Sequence, residues 1–189
     1  MKMQLINIFL VCSSIAKKQS HRIAFFALNW LAIGILFSIS AHAENPTIVG
    51  WSEKVLLFPG NIESTAKMDT GARTSSIHAP EITIYQKNNE NWVKFIFYNK
   101  KGQNVKIDRP IVRTAQIKDL TGPAQQRPVI MLGVCLGSLY HETEFTLFDR
   151  KGFNFRILLG RRFLQKANIL VNSQLKRLLK PACQNISNL

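Results

Sequence analysis

From Pro46 onward the sequence alternates short runs of β-formers with turn residues, and this rhythm constrains the fold more than any other feature. Lys54-Val55-Leu56-Leu57-Phe58 closes on Pro59-Gly60. Ile82-Thr83-Ile84-Tyr85 alternates and ends in the polar turn Lys87–Asn91. Trp92 to Tyr98 is dense in β-formers, and across Asn99-Lys100-Lys101-Gly102 it faces Val105-Lys106-Ile107, which predicts a hairpin. Pro128–Leu132 and Glu144–Phe148 are further strands, and Asp149-Arg150-Lys151-Gly152 is another turn. Short strands at regular spacing with turn signals indicate an all-β barrel or sandwich. Arg161 to Lys166, directly after Gly160, predicts one short helix near the C-terminus. Trp51, Trp92 and the phenylalanines are expected in the core. No repeat, low-complexity tract or linker interrupts residues 44–189, which read as one domain.

The N-terminus follows a different logic. Lys17, Lys18 and Arg22 precede an apolar run from Ile23 to about Ser40, and Ala41-His42-Ala43 follows. A basic flank, an apolar run and a small-x-small site make up a secretory signal. The run also reaches the lower edge of what spans a bilayer. Residues 1–43 are therefore expected to be a signal peptide or an N-terminal membrane anchor, and the domain to be exported, in the periplasm or cell envelope. The anchor reading implies association with a membrane through the N-terminus.

The first 43 residues hold four of the 25 Lys and Arg residues and none of the 11 acids, so the remainder carries a net charge of +10. That bias favours anionic partners. The basic residues are scattered, without a continuous run interleaved with aromatics, so nucleic acid is not an expected partner. Cys135 and Cys183 remain outside the targeting segment. Export permits a disulfide between them, but sequence does not fix their separation. His141-Glu142 opens like a zinc motif, yet Phe145 stands where the second histidine of HExxH is required. No metal and no cofactor is expected.

One tripeptide carries chemistry. Asp69-Thr70-Gly71 leads into Ala72-Arg73-Thr74-Ser75-Ser76. Taken alone, Asp-Thr-Gly is an ordinary turn. Here the acid closes a predicted strand, small hydroxyl residues follow, and Gly71 lets the backbone approach closely. A distant segment, Phe155-Arg156-Ile157-Leu158-Leu159-Gly160-Arg161, supplies an aliphatic run and a glycine before the short helix.

Together these segments resemble the retropepsin-like aspartic peptidases, in particular the group that carries the label "ATP-dependent zinc protease". Lys67–Ser76 looks like the signature of that group. Arg127-Pro128-Val129, Leu147–Arg150 and Leu158–Leu164 match its later motifs in order, over roughly residues 47–173. The label is not supported by the residues, since neither a nucleotide loop nor a zinc motif is present. The resemblance implies a closed retropepsin-like (acid protease) β-barrel that works as a homodimer. Each chain would supply one Asp69, and the pair would share a proton and activate a water on a peptide bond. Thr70 would bond across the dimer axis, and Gly71 and Ala72 would shape the loop. A covering hairpin is expected at Lys118–Gln126, with Gly122 and Pro123 at its tip. Arg73 and Arg127, with Gly122, are expected to contact a peptide or protein substrate. The arginines suggest an acidic one, through bidentate guanidinium–carboxylate pairs. Gly160 and Arg161 are expected to be structural. His78 is expected to be a packed or surface residue, not a base.

The expected activity is therefore that of an exported aspartic endopeptidase, a hydrolase. The alternative is a catalytically silent retropepsin-like domain that binds peptides or a partner in the same cleft, because fold does not secure activity.

Overall fold

The computed structural model describes residues 45–118 and 123–183. The expected targeting segment lies outside the described residues, as do Gly122 and most of the covering hairpin's tip. Among the described residues twelve strands and one helix follow in order: β1 (Thr47–Gly50), β2 (Ser52–Phe58), β3 (Ile62–Asp69), β4 (Ser75–His78), β5 (Thr83–Lys87), β6 (Glu90–Tyr98), β7 (Asn104–Pro110), β8 (Arg113–Ile117), β9 (Gln125–Leu136), β10 (Leu139–Phe148), β11 (Ile157–Gly160), α1 (Arg161–Lys166) and β12 (Ile169–Asn172).

Six strands close a barrel. Their order is β10-β4-β11-β3-β2-β9, and β9 pairs with β10 to complete the ring; β8 extends from β9. The fold class is all-β, with a retropepsin-like closed barrel and one short helix near the C-terminus. Alternation sorts the side chains. Along β3, Ile62, Ser64, Ala66 and Met68 turn inward, while Glu63, Thr65, Lys67 and Asp69 turn out, as a period of two requires. The interior is filled by Val55, Leu57, Ile77, Ile130, Leu132, Phe145, Ile157, Leu159 and their neighbours.

β5, β6 and β7 form a separate antiparallel sheet. Its β5–β6 hairpin turns on Asn88 and Asn89, both at positive φ, a conformation asparagine accepts more readily than most residues. Val93, Phe95 and Phe97 face the core. Trp51 and Trp92 depart from expectation. Trp51 is 38% exposed, edge-on to Phe155. Trp92 is half-buried on the outward side of β6, with the Lys87 ammonium over its ring. Phe153 is exposed as well. Odd and even residues of one strand cannot share a face, so once Val93, Phe95 and Phe97 point in, Trp92 points out.

Residues 173–183 have no regular structure and run back along the barrel. Leu175 O accepts from Trp51 N–H, and Ser52 O accepts from Arg177 N–H. Glu53, fully buried, accepts from the N–H groups of Gly50, Leu178 and Leu179. A buried carboxylate needs such donors to offset its lost hydration. Cys183, at the end of this segment, is disulfide-bonded to Cys135 on β9.

Candidate active site

β3 and β4 flank the Asp69 loop in sequence but are not neighbours in the barrel. β11 lies between them, parallel to β3 and antiparallel to β4. Residues 70–74 therefore cross the end of β11 at Gly160, which pairs in register with Asp69. The crossing is tight. A Cβ on Gly160 would lie 2.8 Å from the carbonyl carbon of Thr74, 2.9 Å from its oxygen and 3.0 Å from the oxygen of Ala72.

The start of α1 completes the loop's support. No side chain caps this helix. Instead its first N–H groups, those of Arg161 and Arg162, donate to the carbonyls of Ala72 and Arg73 at 2.8 and 3.1 Å, which satisfies donors that a helix start leaves open. The Arg161 guanidinium donates to the carbonyls of Thr70 and Gly71 at 2.9 and 2.7 Å. Ser75 Oγ, buried, accepts from Gly160 N–H at 3.1 Å.

This frame fixes the carboxylate. Asp69 Oδ1 accepts from the N–H groups of Gly71 and Ala72 at 2.9 and 3.2 Å. Oδ2 lies 3.2 Å from Lys67 Nζ, and the Asp69 side chain is 20% exposed. Partial burial pushes the Asp69 carboxyl up, but Lys67 and the two amides outweigh it and hold the group below its usual value. The Thr70 side chain is exposed.

Beside the loop is a cavity of about 490 Å³ with Arg73, Arg113, Arg127, Arg150 and Arg162 in its walls. Glu144 takes up part of this charge. It accepts two hydrogen bonds from Arg113, at 3.0 and 2.6 Å, and one from Arg162. Arg127 stacks on Phe148 and donates to Gln125. Arg150 is buried, and burial pushes its guanidinium down; Arg127 acts the same way and the Asp69 carboxylate opposes both. Ser76 also lines the cavity, and its buried hydroxyl has no hydrogen-bond partner, which leaves it open to a ligand.

Arg73 and Arg127, both expected to contact substrate, thus meet Arg113 in one cavity. Arg161 goes to the loop carbonyls instead. Arg150, Arg162 and Glu144 lie within or beside the later motifs of the sequence but carried no separate signal there. β8 and β9 pair antiparallel from Arg113–Val129 to Ile117–Gln125, and Arg113 to Ile117 and Arg127 line the cavity; the tip of the expected covering hairpin lies outside the described residues. His78 is buried and its Nδ1 accepts from Arg150 N–H at 2.9 Å. That nitrogen carries no proton, and burial lowers the imidazole pKa, so His78 is a packing residue. Among the described residues no cluster of His, Cys, Asp or Glu could hold a metal.

A family model described as the retropepsin-like aspartic endopeptidase RimB matches residues 48–181. The chain belongs to this RimB-like family. Among curated proteins, a Shewanella pealeana protein named probable alpha-L-glutamate ligase is 33% identical over 137 residues, covering 70% of this chain and 30% of that protein. A Desulfotalea psychrophila protein of the same name is 34% identical over 128 residues, with coverages of 65% and 27%. The chain thus spans less than a third of the length of these curated relatives. A crystal structure of a Legionella pneumophila protein of unknown function aligns with a TM-score of 0.63 and 30% identity, over 73% of this chain and all of that one. The RimB-like assignment gives the aspartic-peptidase-like fold; the ligase name belongs to longer proteins.

Proposed function

We propose that the chain is an exported aspartic endopeptidase that works as a homodimer and cleaves acidic, glutamate-bearing peptides. The observation that carries this reading is the Asp69 carboxylate. One oxygen is pinned by two loop amides and the other is paired with the Lys67 ammonium. A second copy related by a two-fold axis would bring a second such carboxylate to the same place. Two carboxylates in contact share one proton, so one serves as base on a water while the other, protonated, polarises the peptide carbonyl.

The arginine cavity beside the loop supports acidic substrates, because guanidinium groups pair with carboxylates in two-pronged hydrogen bonds. The glutamate ligase name of the longer relatives supports glutamate as the acid. The Cys135–Cys183 bond supports an oxidising compartment, in keeping with the expectation of export.

The test is hydrolysis of a glutamate-rich and a neutral peptide at mildly acidic pH by wild type, Asp69→Asn and Arg73→Ala. Wild type should cleave, Asp69→Asn should lose cleavage, and Arg73→Ala should lose the acidic peptide selectively. Equal cleavage by wild type and Asp69→Asn would refute the catalytic role. Binding without cleavage by wild type would leave a silent peptide-binding domain. Equal losses on both peptides in Arg73→Ala would refute acidic selection.

A further inference from the structure

Lys67 and Asp69 stand two residues apart on β3, so their side chains share its outward face. The Lys67 ammonium sits on Oδ2, the oxygen that the loop amides leave free. Its neighbours across the sheet, Ser52 on β2 and Leu158 on β11, carry no charge. The other charged groups around the loop are cations, apart from Glu144 on β10, which is paired with Arg113 and Arg162. Arg161 comes from α1 onto the Thr70 and Gly71 carbonyls, Arg73 belongs to the loop, and Arg150 follows β10. The free oxygen of the carboxylate thus meets an ammonium in each protomer.

We propose that Lys67 is a positioning residue for the Asp69 pair, its ammonium competing with the shared proton for the outer oxygens and confining turnover to acidic pH. The proposal rests on the dimeric peptidase reading above. Two carboxylates brought together ordinarily keep one proton between them, because like charges in contact resist double ionisation. An ammonium on each outer oxygen compensates the second negative charge. The pair then releases its proton to solvent at lower pH and loses the acid that polarises the carbonyl. The lower partner of the pair moves down as well, so the whole active window slides toward acid.

The experiment compares pH–rate profiles of wild type, Lys67→Met and Lys67→Arg on the glutamate-rich peptide. A carbon-13 carboxyl titration of Asp69 runs in parallel. Lys67→Met should raise the alkaline limb of the profile, and the Asp69 titration with it, by about one pH unit, the size of a unit charge at contact in a largely solvated setting. Lys67→Arg restores the cation and should track wild type. The Lys67 side chain is about half exposed, so Lys67→Met should keep the fold, which circular dichroism checks. If wild type cleaves and Lys67→Met shifts neither readout, Lys67 has no such role and the peptidase reading stands. If no variant cleaves at any pH, both readings fall, whatever the titration shows.

Discussion

Gly160→Ala isolates the close crossing that supports the Asp69 loop. The added methyl would sit 2.8 Å from the carbonyl carbon of Thr74 and 2.9 Å from its oxygen, where relaxed contacts lie near 3.5 Å. The two backbones must part by roughly 0.6 Å. β11 cannot yield readily, since it is hydrogen-bonded to β3 on one side and β4 on the other. The loop must move. Overpacking of this kind costs about 1–3 kcal/mol, or roughly 2–12 °C in melting temperature for a domain of this size. A displacement approaching 1 Å at a catalytic group lowers turnover by about 100-fold. The assays are a thermal melt and peptide hydrolysis. Gly152→Ala is the control, because nothing lies within 4 Å of its added methyl. If Gly160→Ala melts and turns over like the control, the crossing does not govern the loop.

Two further outcomes follow from buried groups. Glu53→Ala removes the acceptor for three backbone N–H groups, one buried and two part-buried, and should lower stability by about 2–4 kcal/mol, read from the denaturant midpoint; a loss below about 1 kcal/mol would contradict the anchoring role. His78 and His141 are both held neutral, with pKa values lowered chiefly by burial. The unfolded chain therefore binds protons that the fold refuses, and their contribution is full above the ordinary histidine pKa of about 6.5 and fades as pH falls through the lowered values. Denaturant midpoints should drop between pH 7.5 and 5.5, and His78→Gln should flatten part of that slope; a slope unchanged by His78→Gln would exclude it.

Much of the strand pattern was legible because alternation is a local signal. The run from Trp92 to Tyr98 and its partner across Gly102 declare a hairpin without any knowledge of the rest. β4 was not legible. Its Ser75-Ser76-Ile77-His78 reads as polar, yet all four residues are buried, because Ser75 serves the Gly160 amide and His78 receives the Arg150 amide. The Asp69 loop was visible as a motif, since its residues are contiguous in sequence. The arginine cavity was visible only as scattered arginines, because their convergence depends on which strands become neighbours. Arg161 and Arg162 are adjacent in sequence and serve different ends, one on the loop carbonyls and one on Glu144. Nothing local separates them. The Cys135–Cys183 pairing was open for the same reason, as it joins residues 48 positions apart.

The placement of β11 between β3 and β4 has a bearing on when the Asp69 loop can first take its shape. Asp69 emerges early during synthesis, but the strand that seats its loop and the arginine that holds the loop's carbonyls are made some ninety residues later. A nascent or truncated chain ending before Gly160 holds the signature residues without their mould. On the peptidase reading proposed above, the Asp69 loop would take its working shape only once the chain has been made through Arg161.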